Sequence, residues 1–301
     1  MILITGGTGA MGSVLVRKLS ELGQKLRVLT LPGDKNAERL RKDHDVDVRY
    51  GSVADASACR GLCDGVDTVL HLAAIIITND ESLYTSVNAG GTRNIVAQAA
   101  AAGVSHFIHV SSASVLYPKP TPYSISKRLA EDIVKKSKLP WTIVRPTLVY
   151  GRTGGQEFDM FLSYLKKFPA VPFIGSGRAL KRPVFVDDVV DGLVKTACLK
   201  TGNNAVYNLS GATSLSILDF ARLCLTLMGK ERKPIVHLPV WLCVMAAGIM
   251  KYALKDPPLK WSVIAGVTQD ADLDPSAAIK ELGYAPRGVE QMLPRCFPRI
   301  K

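Results

Sequence analysis

Short apolar runs rich in β-branched residues alternate with amphipathic stretches along the first 150 residues of the chain. Apolar runs bounded by polar or glycine-containing segments predict buried strands, here at Ile2–Thr5, Leu26–Thr30, 46–50, Thr68–His71, 107–110 and 142–144. The stretches between them carry apolar residues every three or four positions, which predicts helices at 11–22, 88–102 and 124–137. This alternation predicts a parallel sheet covered on both faces, the doubly wound, Rossmann-type α/β fold.

The alternation becomes irregular after residue 151. The pattern there predicts a Pro- and Gly-rich segment at 169–183, with helices and strands at 156–168, 184–186, 187–198, Ala205–Leu209, 215–228 and 274–283. Ser214 or Ser216 is the expected N-cap of the helix at 215–228. We expect a dinucleotide-binding domain and a smaller C-terminal substrate lobe. The domain comprises 1–150, to which segments of about 183–210 return, and the lobe comprises 151–182 and 211–301.

The segment 240–254 is the longest apolar run, interrupted only by Lys251, and Lys255 and Lys260 follow it. At about 1.5 Å per residue it is too short to cross a hydrocarbon core of about 30 Å. Three interpretations are open: a buried helix, which we expect first, an apolar lid over a lipid-like substrate, or a helix resting on a membrane surface.

Composition narrows the class of protein. Apolar residues make up 47% of the chain and charged residues 21%, which excludes disorder. The net charge of +12 is compatible with nucleic acid, a membrane surface or small anionic ligands as partners. Nucleic acid is disfavoured because the sequence has no recognisable nucleic-acid-binding motif. No signal-peptide pattern opens the chain, so we expect a cytoplasmic protein. Cys59 and Cys63 are the only closely spaced cysteines, and we expect thiols in a reducing compartment and no metal.

A glycine-rich turn connects the first strand to the first helix. Gly6, Gly9 and Gly12 have the spacing G-x-x-G-x-x-G. The first glycine permits the tight turn, the second permits close approach of a pyrophosphate, and the third permits close packing of the helix on the sheet. The free N–H groups of the helix N-terminus suit phosphate oxygens. This turn predicts a dinucleotide site.

The end of the second strand does not choose between NAD and NADP. A carboxylate there favours NAD and an arginine favours NADP. Neither stands at Thr30, and Asp34 and Lys35, a few residues later, favour opposite cofactors. The cofactor is therefore written NAD(P).

Tyr123 and Lys127 form a Y-x-x-x-K pair on one face of a predicted helix. A cation beside a phenol lowers the pKa of the phenol from about 10 and makes it a workable acid or base near neutral pH. Ser112 follows the fifth strand at its carboxyl end, where ligands bind in open α/β sheets. Its hydroxyl is placed to hydrogen-bond a substrate oxygen.

Several motifs occur together in one order along the chain. They are the glycine turn, His71-Leu72-Ala73-Ala74, Val87-Asn88 with Gly91-Thr92, the serines 111, 112 and 114, the Tyr123/Lys127 pair, Arg145 to Gly151, Pro183 to Val189, and Leu282 to Pro286. As a set they resemble the extended short-chain dehydrogenase/reductases, the NAD-dependent epimerase/dehydratase group. The resemblance extends over nearly the whole chain.

The resemblance implies roles for individual residues. Tyr123 is the implied acid/base, Lys127 its activator, and Ser112 the residue that orients the substrate, with Ser111 or Ser114 as alternatives. Asn88 is implied to support the helix behind the site. The implied cofactor-binding residues are Gly6, Thr8, Gly9, Ala10, Met11, Gly12, Leu31, Ala73, Ala74, Asn88, Lys127 and Pro146. A basic loop at 175–182 carries Arg178, Lys181 and Arg182. The resemblance implies Arg182, with Lys181 as the alternative, as the substrate-binding cation for a diphosphate.

The chain departs from the family pattern in two further places. Ser52 follows Gly51 where the family has an Asp that contacts adenine, and Asp55 lies further on. The stretch from Ser112 to Tyr123 is shorter than in sugar epimerases, so a loop on the substrate side is missing. These departures leave hydride chemistry intact and weaken any one substrate assignment.

The resemblance implies an NAD(P)-dependent oxidoreductase or epimerase that moves hydride between nicotinamide and a hydroxyl or carbonyl carbon. A nucleotide sugar is the first expected small-molecule substrate. The alternatives are a dehydrogenase or reductase of a hydrophobic alcohol or ketone, of hydroxysteroid or dihydroflavonol type, and a non-catalytic cofactor-binding scaffold. A homodimer formed through the helix that carries Tyr123 is also implied.

Overall fold

Seven parallel strands form the central sheet of the computed structural model, which describes residues 1–152, 155–199, 202–255 and 257–297. The strands along the described chain are β1 (Ile2–Thr5), β2 (Leu26–Thr30), β3 (Asp47–Tyr50), β4 (Thr68–His71), β5 (His106–Val110), β6 (Trp141–Pro146), β7 (Val149–Tyr150), β8 (Val171–Ile174), β9 (Leu180–Lys181), β10 (Val184–Phe185), β11 (Ala205–Leu209), β12 (Leu215–Ser216) and β13 (Ile235–Leu238). The large sheet has the order β11-β6-β5-β4-β1-β2-β3, and the short strands form the pairs β10-β7, β12-β9 and β13-β8.

Helices cover both faces of this sheet and build the region beyond it. They are α1 (Ala10–Glu21), α2 (Lys35–His44), α3 (Gly91–Ala101), α4 (Pro122–Lys135), α5 (Gln156–Lys167), α6 (Val186–Ala197), α7 (Ile217–Leu227), α8 (Val240–Ala253), α9 (Trp261–Thr268), α10 (Ser276–Leu282) and α11 (Val289–Met292). A π-helical segment, Tyr84–Gly90, leads into α3, and a 3₁₀ turn, Ala113–Leu116, follows β5.

Strand order places the ligand-binding edge. The chain runs outward from β1 to β3, then crosses back to β4 on the other side of β1 and continues outward to β11. The crossover leaves a crevice at the carboxyl ends of β1 and β4, where open α/β sheets bind ligands. The glycine turn follows β1 and Ala73 follows β4, so both stand at this crevice. The expected doubly wound fold is confirmed.

Alternation along β1 explains why the sheet is buried on both faces. Ile2 and Ile4 pack in the cluster that contains α1 and α6, whereas Leu3 packs in the opposite cluster with α3. Successive side chains of a strand point to opposite faces, so an uninterrupted apolar run supplies both clusters. Strand β11 returns from the later part of the chain and pairs in parallel with β6.

The structure differs from the predicted elements at places where a turn, or pairing between distant strands, determines which element forms. The segment 169–183 contains β8 and β9, which exist because they pair with β13 and β12. Helix α2 was not predicted; Asp34 caps it by accepting a hydrogen bond from the N–H of Asn36. The predicted helix at 215–228 begins at Ile217, because the Ser216 side chain accepts from the N–H of Asp219 and caps it.

The expectation that 240–254 forms a buried helix is wrong. The segment is helical over Val240–Ala253, but Cys243 is the one buried side chain reported in α8. Among the described helices, none combines the length and apolar character needed to cross a bilayer.

Candidate active site

The glycine turn has the geometry that a pyrophosphate requires. Gly6 has φ of +74°, and a Cβ there would lie 2.9 Å from the Ala73 nitrogen. A Cβ on Gly12 would lie 2.1 Å from the Gly6 carbonyl oxygen, so α1 packs this closely only because residue 12 is glycine. A Cβ on Gly9 would meet only the Gly6 oxygen, at 3.3 Å, within the 4 Å considered. Gly9 is thus the glycine with space on the ligand side.

The first turn of α1 presents unused backbone donors beside this space. Gly9 is the N-cap and provides no side-chain cap, and the Ser13 N–H makes its bond to the Gly9 carbonyl at 2.9 Å. The N–H groups of residues 10 to 12 precede the first intrahelical bond and are the orphan donors of a helix N-terminus. With the partial positive charge of the helix end, they fit the phosphates of a dinucleotide. Ala10, Met11 and Gly12 therefore lie where the sequence predicts them to act.

Asp34 lies closer to the cofactor turn than its position in the sequence indicates. Gly33 has φ of +79° and turns the chain back at the end of β2. The Thr30 hydroxyl donates to the Asp34 carboxylate at 3.0 Å. A hydrogen bond with Thr8 and the Asn36 N–H hold the pKa of Asp34 below its ordinary value, against the effect of burial. A charged carboxylate thus stands at the strand end, while Leu31, also implied in cofactor binding, is exposed directly after β2.

A buried hydrogen-bond chain fixes the backbone after β4. The Thr5 hydroxyl bonds His71 Nδ1 at 2.7 Å and accepts from the Ala73 N–H at 3.2 Å. His71 Nε2 bonds the Thr92 hydroxyl at 3.0 Å. Burial lowers the pKa of His71 to about 3, and the charge of Lys127 lowers it further, so this histidine is a neutral support. The chain places Ala73 and the adjacent Ala74 against the glycine turn.

Asn88 ties this loop to the helix that carries Tyr123. Its Oδ1 accepts from the Ile75 N–H at 2.8 Å, and its Nδ2 donates to the Ile75 carbonyl at 3.0 Å. Nδ2 also donates to the Ser126 hydroxyl at 2.9 Å, and Ser126 donates to the Tyr123 carbonyl at 2.7 Å. Asn88 is 1% exposed, so it positions the site from behind.

Tyr123 lies in the first turn of α4, where local capping fixes the backbone. Thr121 and Ser124 form a reciprocal capping box, and Pro122 opens the helix. Burial raises the pKa of Tyr123, the charge of Glu157 raises it further, and a hydrogen bond with Ser112 opposes this rise. Tyr123 is therefore protonated at neutral pH in this structure.

The position of Lys127 corrects one step of the sequence analysis. Its Nζ donates to the Val110 carbonyl at 2.7 Å, and the side chain is 2% exposed. Burial lowers the pKa of Lys127 to about 8, and the Glu131 carboxylate opposes this change. The expectation that the cation lowers the pKa of Tyr123 is wrong here, because the desolvation of the phenol outweighs it.

Glu131 is a supporting residue that sequence reasoning missed. Arg145 donates to its two oxygens at 2.8 and 2.6 Å, Ser111 at 2.7 Å and Lys135 at 3.0 Å. Against the cost of burial, the hydrogen bonds from Arg145 and Ser111 lower the pKa of Glu131 to about 2. The four-residue spacing of Lys127, Glu131 and Lys135 on one helix was the available signal.

The three serines after β5 have different surroundings. Ser111 is committed to Glu131 at 2.7 Å, and Ser112 is the one hydrogen-bonded to Tyr123. The Ser112 oxygen also accepts from the Ser114 N–H at 3.2 Å and lies 3.0 Å from the Ser114 hydroxyl. Ser112 is thus the serine placed to share a substrate oxygen with Tyr123.

A second group of residues on the Tyr123 side was also missed. The Tyr84 ring lies 6.0 Å from the Tyr123 ring in an edge-on arrangement. Glu157, in the first turn of α5, is close enough to raise the pKa values of Tyr84, Tyr117 and Tyr123. Glu157 is an exposed residue, but desolvation of its carboxyl by the surrounding protein raises its pKa, and the nearby Lys181 opposes that rise. The sequence offers no signal for Glu157, because only the tertiary fold brings α5 to α4.

Two of the three cations of the basic loop already have partners within the chain. The Arg182 Nε lies 2.5 Å from Asp272, and its Nη1 donates to the Ala212 carbonyl at 3.4 Å. Lys181 is 3% exposed, donates to the Gln269 carbonyl and stands over the Tyr117 ring at 5.5 Å. Arg178 is exposed. Pro146 ends β6 beside Leu209 of β11, at the carboxyl edge of the sheet.

A cleft of about 870 Å³ opens between the glycine turn and α5. Ala10 lines it from the turn, Met160, Tyr164 and Phe168 line it from α5 and the residue just after it, and Pro258 lines it from the later chain. The structure therefore has a glycine turn with free backbone donors, a tyrosine that is protonated at neutral pH, and a cleft beside the turn with apolar side chains on its wall.

Comparison with known proteins agrees with this arrangement. The profile of the NAD dependent epimerase/dehydratase family matches residues 2–210. The chain is 26% identical to a 3 beta-hydroxysteroid dehydrogenase/Delta 5-->4-isomerase of Mycobacterium tuberculosis, covering 99% of this chain and 89% of that protein. It is 27% identical to a UDP-glucose 4-epimerase of Vibrio cholerae, covering 79% and 78%. The solved structure of a dTDP-glucose 4,6-dehydratase from Streptomyces venezuelae superposes with a TM-score of 0.78 at 22% identity, covering 98% and 95%.

Proposed function

Within the NAD-dependent epimerase/dehydratase family, to which this chain belongs as an NAD-dependent oxidoreductase, we propose that it reduces the carbonyl group of a largely apolar ketone to a secondary alcohol, and catalyses the reverse at alkaline pH. The observation that carries this proposal is the state of the basic loop. Arg182 is paired with Asp272, and Lys181 is buried and bound to the Gln269 carbonyl. Both cations already have partners within the chain, which favours a substrate without a diphosphate.

The residues around Tyr123 support reduction in particular. When bound, the reduced dinucleotide supplies a hydride to the carbonyl carbon. Tyr123 is protonated at neutral pH and donates its proton to the carbonyl oxygen, which leaves an alcohol. Ser112, hydrogen-bonded to Tyr123, orients the same oxygen. The Lys127 ammonium lies on the same helix and donates to the Val110 carbonyl, and the Glu131 carboxylate favours its charged form.

We also propose NAD rather than NADP as the preferred cofactor. Asp34 is charged, and hydrogen bonds with Thr8 and Thr30 hold it at the end of β2. A carboxylate at this position accepts hydrogen bonds from ribose hydroxyls and repels a 2′-phosphate. This carboxylate supports an assignment that the sequence left open.

A nucleotide-sugar epimerase is the second candidate. Arg178 is exposed in the same glycine-containing loop, and an arginine suits bidentate contact with a diphosphate. The relative from Vibrio cholerae, a UDP-glucose 4-epimerase, supports this candidate. We place the substrate lobe in 151–182 and 211–301 for either candidate, because the loop and the cleft wall come from these segments.

The two candidates predict different products. The purified protein is incubated with NADH and a panel of steroid and long-chain ketones, and separately with NAD and UDP- and dTDP-sugars. We expect loss of NADH absorbance with the ketone panel and no change in the sugars by mass spectrometry and NMR. Epimerised or dehydrated sugars without any ketone turnover would overturn the proposal in favour of the second candidate.

A homodimer through α4 also fits the structure. Ile125 and Leu129, one helical turn apart on α4, are 46% and 43% exposed. We propose that they pack against the same helix of a second copy. Light scattering after gel filtration tests this: Leu129→Glu is expected to give a monomer and the unaltered chain a dimer, and a monomer in both cases contradicts it.

A further inference from the structure

Helix α8 exposes apolar side chains over most of its surface. Cys243 alone is reported buried, and Trp241, Ile249 and Tyr252 are 65%, 67% and 92% exposed. We call the exposed set the apolar face; its members are Trp241, Leu242, Val244, Met245, Ile249 and Tyr252. An exposed apolar patch of this kind marks an interaction site, because water contact with so many large side chains is unfavourable.

Exposed apolar side chains are also present along α5. Met160, Tyr164 and Phe168 recur every fourth residue there, and all three are partly exposed. Burial raises the pKa of Tyr164, and the Cys243 thiol, on the buried side of α8, raises it further. These residues also line the cleft that ends at Ala10 of the glycine turn.

Positive charge borders this surface. Lys251 and Lys255 are exposed at the end of α8, and Asp256 is the single acidic residue in the sequence from 236 to 268. A depression of about 480 Å³ shares Lys167 and Phe168 with the cleft. Its charged lining has one acid, Glu231, and otherwise the cations Lys166, Lys167, Lys230, Arg232 and Lys233. We call these seven cations, two at α8 and five at the depression, the basic rim.

We propose that the apolar face and the basic rim dock the protein onto an anionic lipid bilayer surface, with α8 lying in the interface plane. Its 14 residues span about 21 Å, which suits a helix that rests on a bilayer better than one that crosses it. Trp241 and Tyr252 have the amphipathic rings that favour the headgroup region, and lysines around an apolar surface match anionic headgroups.

Charge decides against a second copy of the chain as the occupant. In a two-fold interface both partners bring the same basic patch, so neither supplies the acidic groups that would pair with these lysines. A bilayer that contains anionic lipids supplies the opposite charge. The docking goes beyond the proposed reaction, since it does not depend on which substrate is turned over.

Vesicle flotation tests the docking with the full chain. Vesicles of phosphatidylcholine and phosphatidylserine in a 7:3 ratio are compared with vesicles of phosphatidylcholine alone. We expect flotation with the mixed vesicles, much weaker flotation with the neutral ones, and release in high salt because the rim contribution is screened. No flotation with the mixed vesicles overturns the proposal.

Matched variants assign the binding to the apolar face and the rim. Ile249→Glu is expected to lower the bound fraction about tenfold, whereas Ile279→Glu, at a 45% exposed isoleucine of α10, keeps it. Lys251→Glu with Lys255→Glu is expected to weaken binding to the mixed vesicles only. Thermal unfolding confirms that each variant is folded. Equal binding by Ile249→Glu and by the unaltered chain overturns the proposal. It is also overturned if the unaltered chain binds no vesicles and forms an oligomer that Ile249→Glu dissociates.

Discussion

The sheet region and the region of α8 differ in where they place side chains that are costly to accommodate: the sheet region buries polar ones, and α8 exposes apolar ones. Around Tyr123, the polar side chains Ser111, Asn88 and Glu131 are buried and each has hydrogen-bond partners within the chain. In α8, large apolar side chains such as Ile249 are left in contact with solvent. Buried polar groups cost free energy unless they are paired, and exposed apolar groups cost free energy unless something covers them.

The polar groups around Tyr123 find their partners within the chain, whereas the exposed apolar side chains of α8 are not covered by it. The family profile ends at residue 210 and covers the sheet region, whereas α8 lies beyond it. The chemistry shared with the family therefore belongs to the first region. What distinguishes this chain within the family is to be sought in the second region, beyond residue 210.

Replacement of Tyr123 by Phe is expected to have the largest effect on activity of any substitution in the sheet region. The variant keeps the ring but loses the proton donor, so we expect kcat to fall about 100-fold or more. The glycine turn is untouched, so thermal stabilisation by NAD should persist. Tyr84→Phe is the matched control, because the Tyr84 hydroxyl donates to the Ile76 carbonyl at 3.0 Å and does not face Ser112. Equal losses in both variants would contradict the assignment of the proton donor.

Glu131→Gln tests whether the buried network holds the region together. Loss of the charge leaves Arg145 without its ionic partner, so we expect the free energy of unfolding to fall by about 3 kcal/mol in urea titrations. Because the pKa of Glu131 is lowered to about 2, its contribution is complete above the unfolded pKa of about 4.3 and is lost as pH falls toward 2.

The exposed pair Arg17–Glu21 provides the control for this measurement. Glu21→Gln removes a carboxylate from the surface of α1, and a change of no more than about 0.5 kcal/mol is expected. If the two variants lose similar amounts of stability, the contrast between buried and exposed partners does not hold for this protein.

Asp34→Ala tests the edge of the cofactor site. Removal of the charge should raise the ratio of kcat/KM with NADP to that with NAD about tenfold, which corresponds to about 1.4 kcal/mol. Lys35→Ala changes the adjacent exposed residue and is expected to leave the ratio unchanged. A larger shift from Lys35→Ala than from Asp34→Ala would show that the neighbouring lysine, and not the carboxylate, selects the cofactor.

Local patterns were sufficient for the sheet and for the glycine turn. The strands are apolar because both faces are covered, and Gly6 and Gly12 are required by contacts within a few residues or with the next strand. Asp34 could not be placed from spacing alone. Its carboxylate reaches Thr30 because Gly33 adopts a positive φ, and a linear count of residues does not contain that turn.

Tertiary effects decided what the sequence could not. An apolar run predicts that α8 seeks apolar surroundings, but it does not say whether its own chain or another surface provides them. The pKa of Tyr123 followed burial rather than its helical neighbour Lys127. Glu157 entered the site from α5, which is far from α4 in the sequence.

The smallest predicted effect concerns Glu157 of α5, whose charge acts on Tyr123. Its negative charge raises the pKa of Tyr123 beyond the rise caused by burial. Glu157→Gln removes that charge, so the pKa of Tyr123 falls and more phenolate is present at any alkaline pH. Oxidation of the alcohol uses the phenolate as base, so its rate at pH 9 should rise about threefold, equivalent to about half a pKa unit. Glu81→Gln is the control, because Glu81 raises the pKa of Tyr84 instead. An unchanged or slower oxidation by Glu157→Gln would show that Glu157 does not tune the proton donor.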